Sequence, residues 1–177
     1  DIAENGATRD GGGLYNYWNS HVVPSWGTAT GNRAGASGGG IFNRPGGNIG
    51  IGNLVIADNT AIGGGGGGIG GGSTIRIWNT TVSGNDTGAR GGGIEATSAL
   101  VLSSSTVTEN SAILGGGGIN APGANVISSI IAGNSTFQIE GSDCSGSVDS
   151  SGNTLVGNNS GCTISFAEGD MIGTPAS

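Results

Sequence analysis

Residues 81–119 read TVSGNDTGARGGGIEATSALVLSSSTVTENSAILGGGGI. Two motifs occur twice in this stretch, each time 25 residues apart: TVSGN at 81–85 returns as TVTEN at 106–110, and GGGI at 91–94 returns at 116–119. Internal self-similarity of this period is the mark of a solenoid. Outward from this stretch, an Asn closes a short apolar run at Asn5, Asn32, Asn59, Asn85, Asn110, Asn134 and Asn158, in steps of 27, 27, 26, 25, 24 and 24. A second column, glycines followed by Leu or Ile, holds Leu14, Ile41, Ile69, Ile94 and Ile119, in steps of 27, 28, 25 and 25. The two columns drift together, so they belong to one period.

Between them lie alternating segments: Ile49-Gly50-Ile51, Ile75-Arg76-Ile77, Leu100-Val101-Leu102 and Asn125-Val126-Ile127. Alternation with period two marks a strand with one buried face. No stretch keeps helical spacing over three turns, which removes helical solenoids. The expectation is all-β: a right-handed parallel β-helix of about seven coils of 24–28 residues, with three short strands per coil. At the inter-strand spacing of ~4.8 Å, seven coils make a rod of about 30–35 Å. The shrinking period predicts a taper toward the C-terminal end.

The residues three before each Asn are Ile2, Ala29, Ile56, Val82, Val107, Ile131 and Leu155, and they are expected to form an inward stack. The Asn residues are expected at tight corners, where Asn tolerates a positive φ, with their amides bonded from coil to coil. One domain covers 1–177. Residues 1–47 are less regular and aromatic-rich, 48–135 are regular coils, and 136–177 are C-terminal coils holding Cys144 and Cys162.

Composition narrows the function. Gly supplies 41 of 177 residues, in runs, not at every third position, which excludes collagen. There is no Lys; five Arg stand against twelve acids, a net charge of -7. Nucleic acid and anionic membrane surfaces are therefore poor partners. No run of 18 apolar residues is present, so no membrane insertion is expected. The chain begins at Asp1 without a signal peptide and reads as a mature or excised segment. Two cysteines in an acidic, Ser/Thr/Asn-rich chain point to a disulfide and an oxidising compartment, with two free thiols as the alternative.

GGGLYN at 11–16, GGGIFN at 38–43 and IWNTTVSGN at 77–85 resemble bacterial secreted and surface proteins with right-handed parallel β-helix repeats. DCSG at 143–146 and GNTLVGNNSGC at 152–162 look like the final coils of that group. The resemblance implies an extracellular location, a Cys144–Cys162 pair across the last coil, and further coils in a longer parent. It is specific for fold and carries little about activity.

Candidate chemistry is sparse. Asp58, Asp86 and Glu109 sit at or beside the Asn corner but make no coherent catalytic pair for a hydrolase. Arg76 lies mid-strand, facing outward and isolated from acids in sequence, which does not suit a lyase base. No catalytic residue is assigned, and no cofactor or metal. Calcium is the one candidate ion, at Glu140, Asp143, Asp149 and Asp170, although no loop follows a calcium-binding pattern. His21 is the only His and forms no zinc site or triad. Tyr15, Tyr17, Trp18 and Trp26, with Phe42, form an aromatic group suited to stacking on sugar rings or to packing. Positions two and four before each Asn (Thr28/Thr30, Val55/Ala57, Thr81/Ser83, Thr106/Thr108, Ile130/Ala132, Thr154/Val156) make an interrupted Thr-rich ladder of the kind an ice-binding face would need. Sequons occur at Asn79, Asn85, Asn134 and Asn158, three of them in the corner column.

The reading is a non-enzymatic extracellular structural or adhesive module. Its expected partners are copies of itself or neighbouring coils of a longer chain, stacked end to end as in a filament. A polysaccharide-binding or polysaccharide-degrading β-helix is the alternative, and an ice-binding solenoid the second.

Overall fold

The computed structural model describes residues 1–17, 21–22, 25–137 and 141–173, with backbone alone at 21, 22 and 25. The chain is all-β and every pairing is parallel, coil on coil. It is a β-solenoid of about six turns followed by a short one. A parallel crossover of this kind is right-handed in nearly all proteins.

A regular coil is represented by Ile69–Gly71, Ile75–Trp78, Thr81–Ser83 and Asp86–Thr87. The first three are the expected strands. The fourth is a two-residue segment that stacks into its own six-stranded sheet. Its inward residues are small: Ala7, Ala34, Ala61, Thr87, Ala112 and Thr136 stand in register.

Register fixes the core. Leu14, Ile41, Ile69, Ile94, Ile119 and Cys144 form one inward column. Ile49, Ile75, Leu100, Ala124, Val148 and Ile164 form a second, and Ile51, Ile77, Leu102 and Val126 a third. Nearly all of these side chains are fully buried, and each aliphatic contributes about 1.5–3 kcal/mol.

The expected inward stack holds from Ile2 through Ala29, Ile56, Val82, Val107 and Ile131. Leu155 does not belong to it. Ile130 pairs with Leu155 and Ile131 with Val156, so Val156 is the buried member and Leu155 faces outward. One extra residue in this coil moves the register, and a one-residue slip turns every side chain to the other face. The taper changes with it. Asn-to-Asn steps fall from 27 to 24, but Ile131 to Val156 is a longer step. Val156 then pairs with Ile172 after far fewer residues, so the expected seventh coil is only partial.

Three columns of left-handed backbone turn the three main corners. Gly11, Gly38, Gly66, Gly91, Gly116 and Gly141 make the first; Trp26, Asn53, Asn79, Ser104, Ser128 and Asn153 the second; Glu4, Gly31, Asp58, Gly84, Glu109 and Gly133 the third. The corner Asn residues were expected to carry the positive φ. They do not: from Asn5 to Asn134 the residue immediately before each one does. Acid alternates with glycine in that third column. This alternation keeps like charges two coils apart and limits the strained non-Gly positions, which cost roughly 1–2 kcal/mol each.

The Asn column is instead a buried amide ladder. The backbone N–H and side-chain amide of each Asn both donate to the Oδ1 of the next, from Asn5 to Asn32, Asn59, Asn85, Asn110 and Asn134, at 2.8–3.0 Å. The GGG motif is coupled to it. At Gly91-Gly92-Gly93, the first glycine has φ 66°. A Cβ on the second would collide with the Gly117 and Ser111 carbonyls. A Cβ on the third would lie 2.7 Å from the Gly118 carbonyl and 2.9 Å from the Asn110 amide nitrogen.

The Asn ladder ends on an acid. Asn134 donates through its backbone and its amide to Asp143 Oδ1, both at 2.8 Å, while Asp143 Oδ2 accepts the Asn158 N–H at 2.6 Å. Asn158 is thus not a rung: Asp143 takes its place, and the Asn158 amide turns to accept from Ser160 N–H. A second buried ladder uses hydroxyls. Leu54, Thr80 and Ser105 N–H donate to Thr80 Oγ1, Ser105 Oγ and Ser129 Oγ. One coil further on, Thr154 N–H and Ser150 Oγ–H donate to the carboxylate of Asp170, at Oδ1. A donor row that points toward the C-terminus needs a group that only accepts at its end, and a carboxylate is that group.

Cys144 and Cys162 form a disulfide with Cα atoms 5.6 Å apart, inside the normal range. Cys144 is fully buried, occupying the Ile column. No helix of the described residues is long and apolar enough to cross a membrane.

Candidate functional site

Period-two geometry sends Leu14, Asn16, Ile41 and Asn43 inward and leaves Tyr15 and Phe42 outward, one on each of two adjacent coils. Their ring centroids are 5.3 Å apart and the planes are inclined by 37°. Tyr17 lies 6.3 Å from Tyr15 at 35°. Arg44 lays its guanidinium over Tyr17, with Cζ 4.7 Å from the ring centroid. With Arg9, Asp10 and Pro45 these groups line an open cleft of about 540 Å³.

The cleft rests on a held frame. Asn16 donates its amide to Asn43 Oδ1 at 2.7 Å and to the Asn48 carbonyl at 3.2 Å, and Asn43 donates to the Gly47 carbonyl at 3.0 Å. Both Asn side chains are buried, so this pair pins the loops that carry Tyr17, Arg44 and Pro45. Arg44 N–H bonds the Asn16 carbonyl and Gly47 N–H the Arg44 carbonyl. Pro45 sits over Gly72, where an added Cβ would lie 2.5 Å from its Cγ. Asp10 Oδ1 accepts the Ser37 N–H at 3.0 Å. The exposed faces of Tyr15 (41%) and Tyr17 (62%) remain open to solvent.

The structure gathers Tyr15, Tyr17 and Phe42 from the expected aromatic group. Trp26 is exposed at the second corner and does not line the cleft. Trp18 and the His21 side chain lie outside the described residues. Arg9 and Arg44 were not singled out by sequence. Their signal was weak: two of five arginines flanking the only dense aromatic stretch.

Elsewhere the acids are committed to structure or dispersed. Asp58 and Glu109 share a corner column with Gly84 between them, whereas Asp86 pairs with Thr60 and Ser111 on the small sheet. Of the proposed calcium ligands, Asp143 terminates the Asn ladder and Asp170 accepts from Ser150, Thr154 and Ala167. Asp149 lies in register with Asn125 and Ser165, and Glu140 lies outside the described residues. Among the described residues no three His, Cys, Asp or Glu side chains gather closely enough to hold a metal ion. Burial pushes the Asp170 carboxyl up, but the Ala167, Thr154 and Ser150 bonds together outweigh it and hold it below its ordinary 3.8. Glu95 was missed by sequence. Burial raises its carboxyl above the ordinary 4.5, against the opposing Asn120 hydrogen bond and the Arg90 charge.

The Thr-rich column runs Thr28, Val55, Thr81, Thr106, Ile130, Leu155, Met171. The expected Thr154/Val156 pair is replaced by Leu155/Gly157 through the same register shift. Thr154 and Val156 are buried. Of the sequon asparagines, Asn85 and Asn134 are buried rungs, while Asn79 is exposed and bonds Asn53 at 2.7 Å. Arg76 is exposed on its strand, as its pattern required.

Comparison of the chain with family models, with curated proteins and with solved structures found no match.

Proposed function

We propose that this chain is a non-enzymatic extracellular β-solenoid module, structural and adhesive in role, that holds a glycan in the Tyr15–Tyr17–Phe42 cleft. The observation that carries this reading is the cleft itself. Exposed Tyr15 and half-buried Phe42 on two paired strands, and exposed Tyr17 just beyond, sit over a buried Asn pair and beside guanidinium groups. Tyr combines a flat apolar face with a polar tip, which suits the mixed surface of a sugar. Support for a non-catalytic role comes from the acids: Asp143 ends the Asn ladder, Asp170 is held by Ser150, Thr154 and Ala167, and the cleft holds the single carboxylate of Asp10. Glycoside hydrolysis needs a pair. The disulfide supports an oxidising, extracellular setting.

Stacking against copies of itself or against neighbouring coils remains part of the proposal, since parallel strand edges pair with further strands. The ice-binding reading has less support, because Val55, Ile130 and Met171 interrupt the threonines with exposed aliphatic side chains.

The test is titration calorimetry of the intact chain against a panel of neutral and acidic oligosaccharides, with reducing ends counted in parallel. Saturable binding without new reducing ends, lost in Tyr15→Ala and Phe42→Ala, is the expected result. Release of reducing ends would overturn the non-enzymatic part. Absence of binding across the panel would overturn the glycan part.

A further inference from the structure

We infer that the cleft selects glycans bearing carboxylates, a uronate-containing polysaccharide, with Arg44 and Arg9 receiving the acid group. The inference rests on the glycan reading above and deepens it. The chain carries -7 and has no Lys, so its net field disfavours anions. Two of its five cations nevertheless stand at one cleft, with one acid, Asp10, between them. That acid already accepts the Ser37 N–H. The other three arginines lie elsewhere: Arg33 on the small sheet, Arg76 outward on its strand, and Arg90 beside Glu95.

Position decides the chemistry. Arg44 lies over the Tyr17 ring, a contact that restrains the guanidinium beside the aromatic surface. A guanidinium edge matches the two oxygens of a carboxylate. Its backbone is anchored on both sides, at Asn16 and Gly47, so little ordering remains to be done on binding. Tyr15 and Phe42 repeat at one ring per coil, 5.3 Å apart. That spacing is close to the rise of one sugar residue in an extended glycan, which would then run parallel to the solenoid axis with one residue per coil. Arginine beside aromatic rings suits a sugar that carries a carboxylate.

The experiment titrates tetragalacturonate, its fully methyl-esterified form and dextran sulfate into the intact chain at low and at physiological salt. The variants are Arg44→Gln, Arg9→Gln and Tyr15→Ala, all at exposed or half-exposed positions whose melting temperature should stay unchanged. Tetragalacturonate should bind at least tenfold more tightly than its ester, Arg44→Gln should lose about tenfold, and salt should weaken the acid form alone. Equal binding of acid and ester overturns the carboxylate inference and leaves the glycan reading intact. Failure of both forms to bind overturns the inference and removes uronates from the glycan panel. Tighter binding of dextran sulfate, insensitive to Tyr15→Ala, assigns the site to diffuse anion attraction and also overturns it.

Discussion

Replacing Asn85 by Ala removes a middle rung of the amide ladder. In the intact protein Asn85 Oδ1 accepts the Asn59 backbone N–H at 3.0 Å and the Asn59 amide at 2.9 Å. Its own amide donates to Asn110 Oδ1, to the Ile56 carbonyl and to the Ser83 carbonyl. After truncation the Asn110 oxygen still has the Asn85 backbone N–H, and one Asn59 amide hydrogen still meets the Ala29 carbonyl. Two donors on Asn59 are left without acceptors in a site closed to water. Each orphan costs about 1–3 kcal/mol, so the substitution should cost about 2–6 kcal/mol. Against a typical domain stability of about 5–15 kcal/mol this is a large fraction. Asn5→Ala is the control. Asn5 is exposed and only donates to Asn32 through its amide, and the Asn5 backbone N–H continues to satisfy that oxygen. Its cost should stay below about 1 kcal/mol. Urea unfolding of both variants measures the difference. Hydrogen exchange at the Asn59 amide localises it if the stack unfolds coil by coil. Equal losses in the two variants, or unchanged Asn59 protection in Asn85→Ala, would refute the claim that the ladder is a stabilising network.

Three further outcomes follow from the same geometry. Val156→Ala should cost about 2 kcal/mol by opening a core cavity, while Leu155→Ala should cost under about 1 kcal/mol; the reverse order in thermal melts would restore the register read from the Asn spacing. Asp143→Asn keeps an acceptor for Asn134 but sets an amide N–H₂ against the Asn158 N–H, and should destabilise by about 1–3 kcal/mol; a variant as stable as the parent would sink the terminal role of the carboxylate. The Asp170 carboxyl is held below 3.8 in the folded chain. Its stabilisation is therefore present above the unfolded value and lost as pH falls through the lowered one. Asp170→Ala should be less stable than the parent at pH 7, with the gap closing as the pH drops below about 3.8; a gap independent of pH would count against the mechanism.

The repeat determined the solenoid from sequence because its two strongest signals are in contact. The third glycine of each triplet presses on the Asn amide of the following coil, as Gly93 does on Asn110, so the columns must drift together along the chain. Period-two alternation likewise exposed the inward Ile and Leu columns. Sequence alone misread the reason for the Asn residues. A positive φ and a buried amide both favour Asn at a corner, and only coordinates show that the strain falls one residue earlier, on Glu4, Asp58 and Glu109 among others. It also misplaced the last rung, since Asn158 fits the spacing, and the Asp143 that replaces it is nine residues from Asn134, not a coil away. The cleft needed the tertiary structure most. The 27-residue period already sets Tyr15 beside Phe42, but Arg9 and Arg44 belong to no repeat column. What brings them together is the buried Asn16–Asn43 bond and the stacking of one coil on the next. A period in sequence fixes which residues stack, because each coil must present the same hydrogen-bonding edge to its neighbour. It does not fix where the irregular loops fold over that stack, since their positions depend on contacts made between coils.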